Sequence, residues 1–231
     1  MLELQGIHAG YGKSPVLRGV DLAVPEGSVV ALLGANGAGK TTLLRVASGL
    51  LAPTSGRLVV DGQDLTRKRP HVLTRAGVCH VPEGRGIFRN LTVQDNLALQ
   101  APDGDTDDAV ARAVSAFPRL GERLGQLAGT MSGGEQQMLA LARAYVQRPR
   151  VVLLDEVSMG LAPKVIDEIF EFLQALAAEG VSLLLVEQYV TRALAVSDWV
   201  YLLNRGEIAF AGEPAELEDR DIFAEYVGVA S

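Results

Sequence analysis

The chain has 231 residues, carries 21 Lys plus Arg against 28 Asp plus Glu for a formal net charge of −7, and is 48% hydrophobic. That acidic balance argues against general attraction to nucleic-acid phosphates, and the hydrophobic fraction excludes disorder as the main state. The length suits one large domain, or one domain carrying an inserted piece. Uninterrupted apolar runs such as 29–33 and 138–142 reach only five residues, where a bilayer crossing takes roughly 20, so no membrane-spanning segment is expected. The start, Met1 Leu2 Glu3 Leu4, lacks the basic stretch and apolar block of a secretory signal. A single cysteine, Cys79, agrees with a reducing compartment and reads as a small buried hydrophobe; His8, His71 and His80 show no metal-ligand spacing with it.

Four short apolar segments punctuated by Gly and Pro open the chain, at 2–7, 17–24, 29–33 and 57–60, and they read as strands. Segment 29–33 is apolar at every position, as expected of a central parallel strand covered on both faces. It runs directly into Gly34 Ala35 Asn36 Gly37 Ala38 Gly39 Lys40 Thr41 and then a helical stretch at 41–48 that stops at Gly49. This matches GxxxxGK[ST] in the strand-to-helix setting that a P-loop requires. Glycines let successive backbone NH groups turn inward around phosphate, and the helix N-terminus adds its positive dipole end. In that reading Lys40 bridges the β- and γ-phosphates and Thr41 sets its hydroxyl on Mg²⁺.

From residue 93 to 148 the pattern turns helical, notably at 107–116 and 135–145, which predicts a helical subdomain inserted at about 84–148. The acidic run from Asp103 to Asp108 lacks the spacing and closing Glu of an EF-hand and reads as a solvated turn at a helix start. Ser132 Gly133 Gly134 Glu135 Gln136 Gln137 opens the helix at 135–145 and offers a second set of free NH groups that can hold an anion. The fully apolar strand 151–154 ends in Asp155 and Glu156 and is expected beside the P-loop strand, with Asp155 in the Mg²⁺ shell and Glu156 on the attacking water. Another strand, 181–186, ends in Glu187 and Gln188, and the segments 199–203 and 207–210 flank Asn204 Arg205 Gly206 as a hairpin. Buried strands with polar C-terminal ends describe a parallel α/β sheet whose site lies along that edge.

The P-loop, the Ser132–Gln137 run and the strand ending at Glu156, in this order, resemble the nucleotide-binding subunit of an ABC transporter over essentially the whole chain. Narrower runs, Val81 Pro82 Glu83 Gly84 Arg85, Phe117 Pro118 Arg119 Leu120, Gly160 Leu161 Ala162 Pro163 and Val186 Glu187 Gln188, resemble the ATPases of bacterial branched-chain amino acid importers. The resemblance implies an ABC ATPase fold: a P-loop parallel core, an antiparallel β edge and the helical insert, all in one nucleotide-binding domain over 1–231.

It also implies a site. ATP and Mg²⁺ are the cofactors, and the nucleotide falls to Gly34, Asn36, Gly37, Ala38, Gly39, Lys40, Thr41 and Thr42, with Tyr11 stacking on adenine. Ser132, Gly133 and Gly134 contact the γ-phosphate held by a second ATPase subunit, so the site closes only in a dimer, across which the loop 158–161 runs. Gly134→Asp is accordingly expected to set a charged side chain against that phosphate. Glu83 stands where most members carry a Gln that reaches metal and water, Gln188 replaces a His that senses γ-phosphate, and Val157 replaces a Pro. Strand alternation turns Glu187 away from the phosphate.

The implied partners are membrane permease subunits and, indirectly, a periplasmic or extracellular substrate-binding protein; no nucleic acid is involved. The implied location is peripheral, on the cytoplasmic face of the membrane. The alternatives are the ATPase of a urea or small-amide importer and a soluble ABC ATPase of translation or repair. The second usually needs two cassettes or a coiled-coil insertion that 231 residues do not accommodate. A P-loop kinase or GTPase would leave Ser132–Gln137 unexplained.

Overall fold

A computed structural model describes residues 1–101, 104–187 and 189–218. The chain opens with β1 (Leu2–Tyr11) and β2 (Ser14–Val24), paired antiparallel, and continues through β3 (Val29–Leu33), α1 (Lys40–Ala47), β4 (Ser55–Val60), β5 (Gln63–Asp64), α2 (Pro70–Arg75) and β6 (Val78–Val81). Helices α3 (Val93–Ala98), α4 (Thr106–Ala116), α5 (Pro118–Gly121) and α6 (Gly133–Val146) follow, with a 3-10 turn at Ala128–Thr130. After them come β7 (Val151–Asp155), α7 (Pro163–Ala178), β8 (Ser182–Val186), α8 (Val190–Val196), β9 (Trp199–Asn204), β10 (Glu207–Gly212) and α9 (Pro214–Glu218).

Two sheets result. One is antiparallel, in the order β2-β1-β4-β5; the other runs β10-β9-β3-β8-β7-β6, parallel from β9 to β6 with β10 antiparallel at its edge. This is the expected α/β core with an antiparallel β edge. The second sheet is covered on both faces, which is why β3, β7 and β8 are buried at every position. Along β3, Val29, Ala31 and Leu33 face one apolar core while Val30 and Leu32 face the other, the alternation a strand imposes. The first core is built against α3, α4, α6 and α7; the second against α1 and the antiparallel sheet.

Local signals account for the helices. Ser132 caps α6 in a capping box: its Oγ accepts from the Glu135 amide at 3.3 Å, and its own amide donates to the Glu135 carboxylate at 2.8 Å. Pro163 occupies the first turn of α7, where its missing NH costs nothing. Ile166, Ile169, Phe170, Leu173 and Leu176 recur at helical spacing and form the buried face of α7.

One expectation on strand order is corrected. β7 does not lie beside β3; β8 stands between them, paired in parallel with both. Uniformly apolar strands carry no mark of which neighbour they take, so order within the sheet is decided by how the crossovers pack.

Candidate active site

The phosphate loop is shaped by positive-φ glycines. Gly34 (φ 148°) lies so close to β9 that a Cβ there would sit 2.2 Å from the Leu203 carbonyl oxygen, while Gly37 (φ 82°) has open space around it. Gly39 (φ 114°) leads into α1, so the loop amides and the first turn of the helix share one concavity. The tip of the β9–β10 hairpin supports the loop from outside. Gly206 N donates to Ala38 O at 2.9 Å, Arg18 N donates to Gly206 O at 2.8 Å, and a Cβ at Gly206 would meet the Val16 carbonyl oxygen at 1.8 Å.

Lys40 is buried, and its Nζ arches back over the loop to donate to Gly34 O at 2.8 Å and Ala35 O at 3.2 Å. Burial pulls the ammonium pKa below its ordinary value, and the charges of Glu156 and Asp155 act against that shift. Thr41 Oγ1 donates to Asp155 Oδ1 at 3.3 Å, across from the end of β7. Asp155 is 1% exposed. Burial above all raises its pKa, with the Glu156 and Glu83 carboxylates adding to the rise and Thr41 and Lys40 opposing it. The Thr41 hydroxyl and the buried Asp155 carboxylate, within hydrogen-bonding reach of each other, are oxygen donors of the kind a hard divalent cation such as Mg²⁺ takes; no group of three or more acidic, His or Cys side chains among the described residues converges to hold a metal alone, so phosphate and water oxygens would complete the shell. The residues present therefore fit a magnesium–nucleotide.

Glu156 adopts φ 50°, a left-handed conformation that L residues avoid unless the surroundings impose it. Its amide donates to Val186 O at 2.8 Å. Glu83 lies exposed just beyond β6, and its charge reaches Asp155. Thr42 is buried on α1, and Asn36 and Ala35 are exposed on the loop. Tyr11, 45% exposed at the end of β1, accepts a hydrogen bond from Arg45 of α1 at 2.9 Å. Gln188 lies outside the described residues.

Ser132, Gly133 and Gly134 open α6 on the helical layer, apart from the phosphate loop. A Cβ on Gly134 would meet Val165 Cγ1 of α7 at 2.9 Å, and one on Gly133 would approach Arg85 Nη2 at 3.0 Å. Gly134→Asp would therefore also press on the packing of α6 against α7 within its own chain.

Three polar residues assigned no structural role by the sequence reading hold the site's surroundings. Arg85 (φ 74°) donates to Gln136 Oε1, linking the Glu83 segment to α6. Asn96, fully buried in α3, binds Phe88 through both its amide and carbonyl groups. Glu187 is 3% exposed and binds Ser158. Each satisfies groups distant in sequence, a property no local spacing reveals.

A family model described as ABC transporter matches residues 17–159. The high-affinity branched-chain amino acid transport ATP-binding protein BraG of Pseudomonas aeruginosa is 43% identical over 220 residues, 94% of each chain. The probable branched-chain amino acid transport ATP-binding protein LivF of Archaeoglobus fulgidus is 39% identical over 227 residues, 96% of each chain. A solved nucleotide-free ATP-binding cassette from an ABC transporter, 24% identical, superposes with a TM-score of 0.85 over 100% of this chain and 99% of its own. A family model over most of the chain, two relatives matched along nearly their full length and a cassette of the same shape place this chain in the ABC transporter family.

Proposed function

We propose that this chain is the ATP-hydrolysing subunit that powers import of branched-chain or related amino acids through a membrane permease. The observation that carries the catalytic part is the convergence of Lys40 and Thr41 at the start of α1 with Asp155 and Glu156 at the end of β7, Thr41 and Asp155 being hydrogen-bonded. The amino acid cargo rests on the two relatives named for branched-chain amino acid transport. No helix among the described residues is long and apolar enough to cross a membrane. In this reading the chain sits peripherally on the cytoplasmic face, bound to permease subunits that receive cargo from a periplasmic or extracellular binding protein.

The chain's own groups divide the work. The loop amides and Lys40 hold the β- and γ-phosphates, with Lys40 exchanging its bonds to Gly34 O and Ala35 O for phosphate oxygens. Thr41 and Asp155 would hold Mg²⁺, which when bound would neutralise charge on the phosphates. Glu83, whose charge reaches Asp155, would stand in for the Gln that reaches metal and water in most members. Glu156 orients the attacking water and takes its proton as the bond from the γ-phosphorus to the departing ADP oxygen breaks. Tyr11 stacks on adenine, and Gln188 donates to the γ-phosphate. Ser132, Gly133 and Gly134 serve the nucleotide of a second subunit, so ATP favours the closed pair by contacts that only that state makes.

Glu156→Gln tests the assignment. Binding of ATP should persist, because Lys40 and the loop are untouched, while hydrolysis falls by roughly 10² to 10⁴ as for loss of a general base. In proteoliposomes carrying permease and binding protein, ATP-driven leucine uptake should fall with it. Near-parental turnover in Glu156→Gln would remove Glu156 from the chemistry.

A further inference from the structure

Glu187, just past the end of β8, accepts through both carboxylate oxygens from one residue of the loop that follows Glu156. Its Oε1 accepts from the Ser158 amide at 3.1 Å, and its Oε2 accepts from Ser158 Oγ. Both residues are buried, Ser158 completely. One position earlier, Val186 O accepts from the Glu156 amide at 2.8 Å, just beyond the last registered pair of the ladder, Asp155 with Val186. Val186, the last residue of β8, and Glu187, the residue after it, thus hold the two residues that bracket Val157.

What they hold is strained. Glu156 keeps a left-handed φ of 50°, which persists only where the surroundings over-determine it. Val157 is buried in the core but, unlike a proline, does not fix its own φ. Within the loop Met159 N donates to Glu156 O at 3.3 Å, and from outside it Val186 and Glu187 add their hydrogen bonds to Glu156 and Ser158. A buried carboxylate is costly to desolvate, yet one that accepts from an amide and a hydroxyl of a single residue fixes that residue's backbone and side chain together. Beyond Ser158 the chain turns through Met159, 44% exposed, and Gly160, with φ 71°.

We propose that Glu187 is a positioning residue for hydrolysis: through Ser158 it fixes the backbone from which Glu156 projects and the start of the loop 158–161. The inference rests on the ATPase reading given above. Glu187 touches neither water nor phosphate in this role. It sets the angle at which Glu156 meets the water, and a misplacement of about 1 Å at such a group can lower turnover up to 10²-fold.

The test compares the full-length parent with Glu187→Ala, Glu187→Gln, Ser158→Ala and the Glu187→Ala/Ser158→Ala pair, reading kcat, KM for Mg-ATP, ATP affinity and Tm. In Glu187→Ala, kcat should fall on the order of 10 to 10²-fold with KM and ATP affinity within about twofold of the parent, since the phosphate loop is untouched. Glu187→Gln should recover kcat to within about threefold, because the amide accepts from Ser158 N and donates to a rotated Ser158 Oγ. The double variant should be no slower than Glu187→Ala, as both changes break one linkage.

Parental kcat in Glu187→Ala, a loss that appears equally in ATP affinity, failure of Gln to recover activity, or additive losses in the double variant would each overturn the proposal. Should Glu187→Ala not fold, Ser158→Ala decides. A kcat about two- to fivefold lower at unchanged KM supports the linkage, and an unchanged kcat overturns it. A parent without ATPase activity would instead remove the underlying reading, a result visible before any variant is made.

Discussion

His80 is the residue whose chemistry the sequence leaves blank. It lies on β6, and its Nε2 is buried without a hydrogen-bond partner among the described residues. Burial, with help from the positive charge of Arg45, pulls its pKa from 6.5 to about 4. The unfolded chain therefore binds a proton more readily than the folded one throughout that interval. His80 contributes full stability above about pH 6.5, and that contribution drains away as pH falls toward 4. Between pH 7 and pH 5 the parent should lose about 2 kcal/mol on this account. Urea midpoints measured at the two pH values should show His80→Leu losing clearly less than the parent; equal losses would mean that His80 is free to protonate in the folded state. The contrast with Lys40 and Asp155 is instructive. Those two are legible because glycine spacing and an apolar strand announce them locally, whereas the consequence of burying His80 depends on residues brought over it from elsewhere.

Among the elements, α3 owes its grip on the segment before it to one side chain. Asn96 Oδ1 accepts from Phe88 N at 2.9 Å, and Nδ2 donates to Phe88 O and Thr92 O, each at 2.9 Å. The preceding chain carries Glu83 and Arg85, so Asn96 holds in shape the piece that joins β6 to the helical layer. Asn96→Leu would remove the partner of the part-buried Phe88 amide and should cost about 1–3 kcal/mol. Limited proteolysis should then cut within 82–92 faster than in the parent; an unchanged rate would show that the segment is held by something else. The helix itself is readable in advance as part of the helical stretch beginning near residue 93, and its Thr92–Asp95 capping box is a local signal. The role of Asn96 is not readable, because an asparagine inside a short helix is more often a solvated polar residue, and only folding brings Phe88 over it.

Across the whole molecule, the sheet β10-β9-β3-β8-β7-β6 separates two apolar cores, and its carboxyl edge gathers the ends of β3, β8 and β7. The all-apolar stretches 29–33 and 151–154 carried that architecture openly, since strands buried on both faces cannot alternate with polar residues. Strand order was not open to reading. The placement of β8 between β3 and β7 means that the residues following it, Glu187 first, emerge between the phosphate loop and Glu156. Glu187 accordingly faces neither solvent nor an empty flank but Ser158. Alternation along a strand sorts side chains by face; past the last residue of the ladder it no longer governs where they point. The same limit applies to Gly134, whose neighbour Val165 belongs to a helix that begins 29 residues later, at Pro163.

The support that Gly206 gives the phosphate loop has a practical side for anyone who wishes to label or tether this protein. Hairpin tips are ordinarily the places where a chain accepts extra residues, and Arg205–Gly206, with φ of 48° and 86°, looks like such a tip. Here it is wedged between Val16 on β2 and Ala38 on the nucleotide loop. A short Gly-Ser insertion after Arg205 should weaken nucleotide affinity at least tenfold, because it withdraws the donor to Ala38 O and frees the loop to open. The same insertion after Gly62, whose surroundings are open, should leave affinity near the parental value. Equilibrium titration with a fluorescent ATP analogue distinguishes the two, and equal affinities would show that the loop keeps its shape without the hairpin. A tag or reporter belongs at the second turn, where it leaves the support of the nucleotide loop intact.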